Sequence, residues 1–512
     1  MPGAALRLGF EVQSVRDSLG NGSVVYSNVV EPIGRNEVAM VFSSFVFLFV
    51  FLALHLAVYA LVPERYKNPV LLASSLIFYA WGGPVYLLLL MGETLASWLF
   101  ALAIERSDSE SVRKAALVGE CVVLLGLLAY FKYTGFLLGI TQGIFGVPKE
   151  IPNIVLPIGI SFYTFQLISY VVDVYRGNVE AQPTYWKLLL YSSLFHQCIA
   201  GPIVRYETVA GEIEHRHPRR SDVYYGVRRF CVGLAKKTLL ANACAAAADT
   251  LVPLTGDALY AQSTLGYWLG MLFYMLQIYL DFSAYSDMAI GLGRMIGFHY
   301  LENFDHPYEA SSVQDFWRRW HISLSSFFRD YVYIPLGGSR CSTICYIRNM
   351  ACVWFLTGMW HGASWNYILW GLYFFAFLLL ERFVIRDRMP KVLGHVCALL
   401  VVYFGWVLFR FEDFGALGRV VSGMFGFAAG GFSSLAVHTV FLQNVFLIVV
   451  SVVACTSLGM VLRKRLAGFA RENDAFATVF GVLEAVTPPV LLLLSVFALA
   501  GASYNPFIYF QF

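Results

Sequence analysis

Apolar runs of bilayer length recur along almost the whole chain, and this limits its possible folds more than any motif does. Val41–Val62, Val85–Ile104, Ala115–Phe131, Leu239–Leu254, Leu265–Leu280, Met350–Leu380, Val392–Leu408, Val440–Leu462 and Ala485–Ala502 are all mostly apolar. A spanning helix needs about 20 such residues. Only 13% of the 512 residues are charged and the mean hydropathy is +0.64, whereas a soluble domain carries about 25% charge. The expectation is an all-α polytopic membrane protein with ten to twelve transmembrane or re-entrant segments and no separate soluble domain.

Residues 1–39 are polar and lack the apolar core of a signal peptide. They read as a leader, with Met40 as the expected true start and residues 40–512 as one membrane domain. Leu188–Val204 holds His196 and Gln197 before Ala200-Gly201-Pro202, a pattern that suits a re-entrant piece, since irregular backbone at that depth needs protein or water around it. Ser, Thr and Gln in Leu156–Tyr170 should face other helices. The densest basic stretch, Arg205–Lys237, is expected in the cytoplasm by the positive-inside rule, with Arg382–Lys391 and Arg463–Arg465 on the same side. A net charge of +3 gives no reason to expect a nucleic-acid partner. The nine cysteines are scattered without zinc-site spacing, so no metal site is expected from them.

Against this background, polar residues inside apolar segments stand out, because an ionisable group there costs at least ~2.5–3.5 kcal/mol. His361 is the clearest, in the uncharged run Met350–Leu380, with Trp360, Trp365 and Asn366 nearby. It fits either a neutral core histidine or a pocket group. In Gln314–Asp330, wound as a helix, Gln314, Trp317, Arg318, His321, Ser325 and Phe328 share one face. That face suits an interfacial helix, or an entrance for an anionic ligand lined by Arg318, Arg319 and His321. Gln277, Asp281 and Tyr285 fall at helical spacing, and Asp287 with Arg294 reads as an ion pair. Gly291-Leu-Gly293-Arg-Met-Ile-Gly297 has the wrong context for a nucleotide loop and reads as helix packing through small residues. A metal site on His196, His215 and His217 is conceivable, although the last two sit in the basic stretch.

Several stretches together resemble the membrane-bound O-acyltransferase superfamily, in its bacterial branch containing the membrane subunit of alginate O-acetylation. They are Leu156–Gln166, Ile199–Arg205, Asp281–Asp287, Asp315–Ser325, Arg329–Gly338 and Thr357–Trp365. The resemblance implies a ring of helices around a central funnel open to the cytoplasm, in a bacterial inner membrane. It implies an O-acetyltransferase whose two hallmark histidines match His321 and His361. The donor would be acetyl-coenzyme A or an acyl-carrier thioester, with no bound cofactor. The acceptor would be an exported, alginate-type polysaccharide, reached through a periplasmic or secreted acetyltransferase partner.

The chemistry agrees with this, since a histidine of ordinary pKa can deprotonate a hydroxyl near neutral pH. The reading makes His361 the base and His321 the group that orients it or polarises the acyl carbonyl, with the reverse also open. Arg318, Arg319, Trp317, Ser325, Trp360, Asn366, Asp281 and Gln277 are the candidate donor-binding residues. The competing classes are a non-catalytic transporter or channel for donor or glycan, which should show matched halves, and a scaffold that recruits a soluble acetyltransferase.

Overall fold

The structure, a computed structural model, describes residues 40–146, 152, 154–198, 201–385, 388–501 and 505. The expectation for residues 1–39 therefore concerns residues outside the described ones. Among the described residues there is no strand. Seven helices among the described residues are long and apolar enough to cross a membrane. They are α1 (Pro84–Arg106), α2 (Glu110–Phe145), α4 (Arg220–Leu251), α9 (Trp365–Ile385), α10 (Lys391–Arg410), α11 (Leu435–Ala454) and α12 (Asp474–Gly501). The other expected segments are shorter or more polar, notably Val46–Leu61, α3 (Ile160–Arg176) and α5 (Thr264–Ile296). The chain is thus a multi-pass membrane protein, and its nine cysteines are free thiols.

Polar groups inside the apolar helices turn toward protein. Glu93 of α1 and Glu120 of α2 are both buried. Thr164 Oγ1 of α3 donates to Glu93 at 3.3 Å, and Ser97 Oγ donates to Glu120 at 2.5 Å. Ser161, Thr164, Gln166 and Ser169 of α3 are likewise buried, as expected for a helix that faces other helices rather than lipid.

The basic stretch Arg205–Lys237 is not a solvated loop. From Arg220 onward it is α4, and its cations meet the acids of α5. Arg229 and Lys236 reach Asp287 at 2.9 and 2.8 Å, and Lys237 reaches Asp281 at 2.8 Å. Arg294 pairs with Asp222 at 3.0 Å, so the expected Asp287–Arg294 pair does not form. Two partners on one helix face were available in sequence, but helix-to-helix pairing supplied better ones. The crossing is close because it is glycine-lined. A Cβ on Gly291 would sit 2.7 Å from the Gly226 carbonyl oxygen, which bears out the reading of that glycine run as helix packing.

Two apolar or amphipathic runs that read as continuous helices are broken. The Gln314–Asp330 stretch forms α6 (Val313–Arg319) and α7 (Ile322–Phe328) with a bend at Trp320-His321. The Met350–Leu380 run forms α8 (Thr343–His361) and α9, separated by Gly362–Ser364. His361 is therefore the last residue of a helix and not a mid-helix residue. Both histidines of the resemblance lie at helix ends created by these breaks.

Candidate active site

The bend before α7 is made by His321 itself. Its φ of 44° is left-handed, and among the described residues only His306 shares that feature outside glycine. Such backbone is costly for a residue with a Cβ and tends to mark functional sites. The bend is held from both sides. Ser312 caps α6 by accepting from the Asp315 N–H at 3.0 Å, and the Glu381 carboxylate accepts from the Val313 N–H at 2.7 Å. The Ile322 N–H donates to the Asn303 carbonyl at 2.9 Å.

Asn303 also sets the protonation pattern of His321. Its Oδ1 accepts from the Ser323 N–H at 3.2 Å and from Ser323 Oγ at 2.8 Å. A backbone N–H can only donate, so that side-chain atom is the oxygen. It lies 3.3 Å from His321 Nδ1, and Nδ1 is therefore the protonated nitrogen. Nε2 is left with a lone pair, and it is buried with no hydrogen-bond partner among the described residues. An imidazole held this way is ready to accept a proton.

His361 is fixed differently, by rings. Its imidazole meets Trp360, Trp370 and Phe409 edge-on with centroids 5.0, 4.9 and 5.3 Å apart. The Trp360 indole also meets His321 edge-on at 5.7 Å, so a single indole touches both imidazoles. Phe162 of α3 braces Trp360 from behind at 5.5 Å.

Both histidines line one cavity of about 780 Å³. Of the residues expected there, Gln314, Trp317, Arg318, His321, Ser325 and Phe328 all line it. The shared face is therefore real, although two short helices and a left-handed residue produce it rather than one continuous helix. The other candidates are placed elsewhere. Arg319 turns away, with Nε donating to Asp315 Oδ1 at 2.9 Å and Nη1 to the Asp305 carbonyl at 3.4 Å. Asp281 is committed to Lys237, and Asn366 Nδ2 donates to the Phe409 carbonyl at 3.1 Å. Gln277 is buried in α5, away from the cavity lining. Trp360 is part of the site through the two imidazoles without being a lining residue. For these residues, helical spacing reported adjacency along one helix and not which helix lay opposite.

The charged part of the cavity lining is mainly cationic. Arg329 and Arg382 join Arg318 in the lining, with Glu381 as the acid among them. Arg382 stacks 3.8 Å over the Tyr346 ring. Asp330 receives Arg205 Nη2 and Arg329 Nε, each at 2.6 Å. Burial would raise the Asp330 pKa, but the hydrogen bonds from Arg329 and Arg205 outweigh it and hold the carboxyl below its usual range. Sequence reading missed Asn303, Arg382 and Tyr346. Arg382 was visible only as part of a basic loop, and nothing in the local pattern distinguishes Asn303. His196 lies buried against Tyr300 Oη at 2.7 Å, while His217 is exposed beside Glu64, so the three conceivable metal ligands do not converge.

The sequence profile of MBOAT, the membrane-bound O-acyltransferase family, matches residues 180–409. A relative named Probable alginate O-acetylase AlgI, from Azotobacter vinelandii, is 39% identical, the match covering 92% of this chain and 100% of the relative. A protein of the same name from Pseudomonas aeruginosa is 43% identical over 77% of each chain. A peptidoglycan O-acetyltransferase from Helicobacter pylori is 32% identical over 76% of this chain and 80% of its own length.

Proposed function

This chain belongs to the membrane-bound O-acyltransferase family and is an acyltransferase; from that premise we propose that it moves an acetyl group from a cytoplasmic thioester across the inner membrane for O-acetylation of an exported, alginate-type polysaccharide. The observation that carries the site assignment is the sharing of one cavity by His321 and His361, with a single indole touching both rings. The tautomer set by Asn303 favours His321 as the base, the reverse of the assignment drawn from sequence. Nε2 of His321 takes the hydroxyl proton as the oxygen attacks the acyl carbon. The carbon–sulfur bond then breaks, and the departing thiolate receives that proton. His361, seated in its aromatic collar, holds or polarises the acyl carbonyl.

Acetyl-coenzyme A or an acyl-carrier thioester is the donor in this reading, because Arg318, Arg329 and Arg382 offer the charge-assisted hydrogen bonds that phosphates take. A cavity of about 780 Å³ lies in the range of small-molecule sites. The residence is the bacterial inner membrane, and a periplasmic or secreted acetyltransferase passes the group to the polymer.

The test replaces His321 and His361 singly by alanine in cells that make the polymer, with membrane insertion checked, and measures extracellular O-acetyl content. Each change should abolish acetylation, and full retention in both would refute the assignment. Purified chain that binds acetyl-coenzyme A or acyl-carrier thioester but never cleaves it, with acceptor present, would support the transporter reading instead.

A further inference from the structure

α8 ends without the closure that helices commonly use. The last four carbonyls of a helix have no partners within it, and a glycine just past the end often turns left-handed so that following N–H groups can reach them. Gly362 is instead extended, with φ −170° and ψ 161°. Among the described residues, no N–H following α8 returns to its final carbonyls.

The partners come from α2. Tyr133 Oη donates to the Met359 carbonyl at 2.5 Å, and Lys132 Nζ donates to the Trp360 carbonyl. The Lys132 ammonium also lies 6.0 Å from the Trp360 ring centroid. One turn further along α2, Phe136 meets Trp365, the first residue of α9, edge-on at 5.4 Å. One patch of α2 thus grips both sides of the break that ends in His361. Beyond Lys114, Lys132 is the one basic residue of α2. A cation in a spanning helix is kept only where something repays its desolvation. Here it meets the negative end of a helix dipole and the Trp360 carbonyl.

We propose that Lys132 and Tyr133 are positioning residues for His361, substituting from a neighbouring helix for the missing backbone cap and so fixing where α8 presents its terminal imidazole. This rests on the reading of His361 as part of the acetyl-transfer site. Neither residue needs to touch substrate. Their effect should appear in the chemical step, because a displacement of about 1 Å in a reacting group costs on the order of 10²-fold in rate.

The test uses the full chain in inside-out membrane vesicles from polymer-producing cells. Radiolabelled acetyl-coenzyme A is titrated and label in the polymer is counted. Lys132→Met should lower kcat on the order of 10²-fold and leave the KM for acetyl-coenzyme A and the unfolding temperature of the purified protein close to parental. Lys132→Arg, which keeps a cationic donor, should recover most of the rate, and Tyr133→Phe should show a smaller loss in the same direction. The inference is overturned if Lys132→Met turns over at the parental rate. It is equally overturned if the Met and Arg variants fall together with a lowered unfolding temperature, since that marks a merely structural lysine. His361→Ala in parallel separates the two readings. If it is fully active, the site assignment fails; if it is inactive while Lys132→Met is unaffected, only the positioning role fails.

Discussion

Replacing Gly358 by alanine should damage catalysis through geometry alone. α8 and α9 cross where two glycines face backbone: a Cβ on Gly358 would lie 2.4 Å from the Tyr367 carbonyl oxygen and 3.3 Å from Ile368 Cα. On the other helix, a Cβ on Gly371 would lie 2.3 Å from the Trp354 carbonyl oxygen. Neither obstacle is a side chain that can rotate away. Comfortable separations are about 3.5 Å, so the crossing must open by roughly 1 Å. His361 follows Gly358 by three residues on the same helix and moves with it. A shift of that size corresponds to a rate loss of about 10²-fold, or ~2.7 kcal/mol of transition-state stabilisation. The overpacking itself should cost about 1–3 kcal/mol of stability. The assay is label incorporation in vesicles at matched protein level, together with thermal unfolding. Gly126→Ala and Gly139→Ala on α2, where a Cβ meets nothing within 4 Å, are the controls and should be silent. Gly358→Ala working at more than half the parental rate, or an equal loss in the controls, would refute the reasoning.

Arg318→Ala should raise the KM for acetyl-coenzyme A about tenfold, the loss expected for a hydrogen bond to a charged group. Arg319→Ala, which gives up the half-buried Asp315 pair and the Asp305 carbonyl, should leave KM unchanged and shift stability by about 1 kcal/mol; a titration of both variants distinguishes the two arginines. Asp287→Asn removes the acid shared by Arg229 and Lys236 and should cost up to about 3 kcal/mol, read as a lower unfolding temperature that Lys236→Met partly restores. The Asp330 carboxyl has a lowered folded pKa, so its stabilisation is fully present above its ordinary value of 3.8 and is lost as pH falls through the lower folded value. The difference in unfolding temperature between the parent and Asp330→Asn should therefore be flat from about pH 5 to 8 and shrink below about pH 4.

Much of the fold and part of the site can be read along the chain. Long apolar runs mark the spanning helices, because lipid admits little else for that length. His361 in an uncharged run, and His321 on a mixed polar and aromatic face, are conspicuous for the same energetic reason. The lining by Gln314, Trp317, Arg318, Ser325 and Phe328 follows from spacing even though the helix beneath them is bent. Arg319 shows the limit of that logic. It is adjacent to Arg318 and chemically identical, yet Asp315 one turn back claims it.

The sequence by itself determined that this is an all-helical membrane protein, since hydropathy and local spacing are properties of neighbours along a chain, and its resemblance to the O-acyltransferase superfamily added the activity and pointed to His321 and His361. Tertiary structure decided which groups are partners. Asp287 pairs with α4 instead of with Arg294, Asn303 fixes the His321 tautomer, and Lys132 from α2 closes the helix that carries His361. The physical reason is that buried donors, acceptors and charges must be satisfied in three dimensions, and the partner that satisfies each one is set by which helices cross.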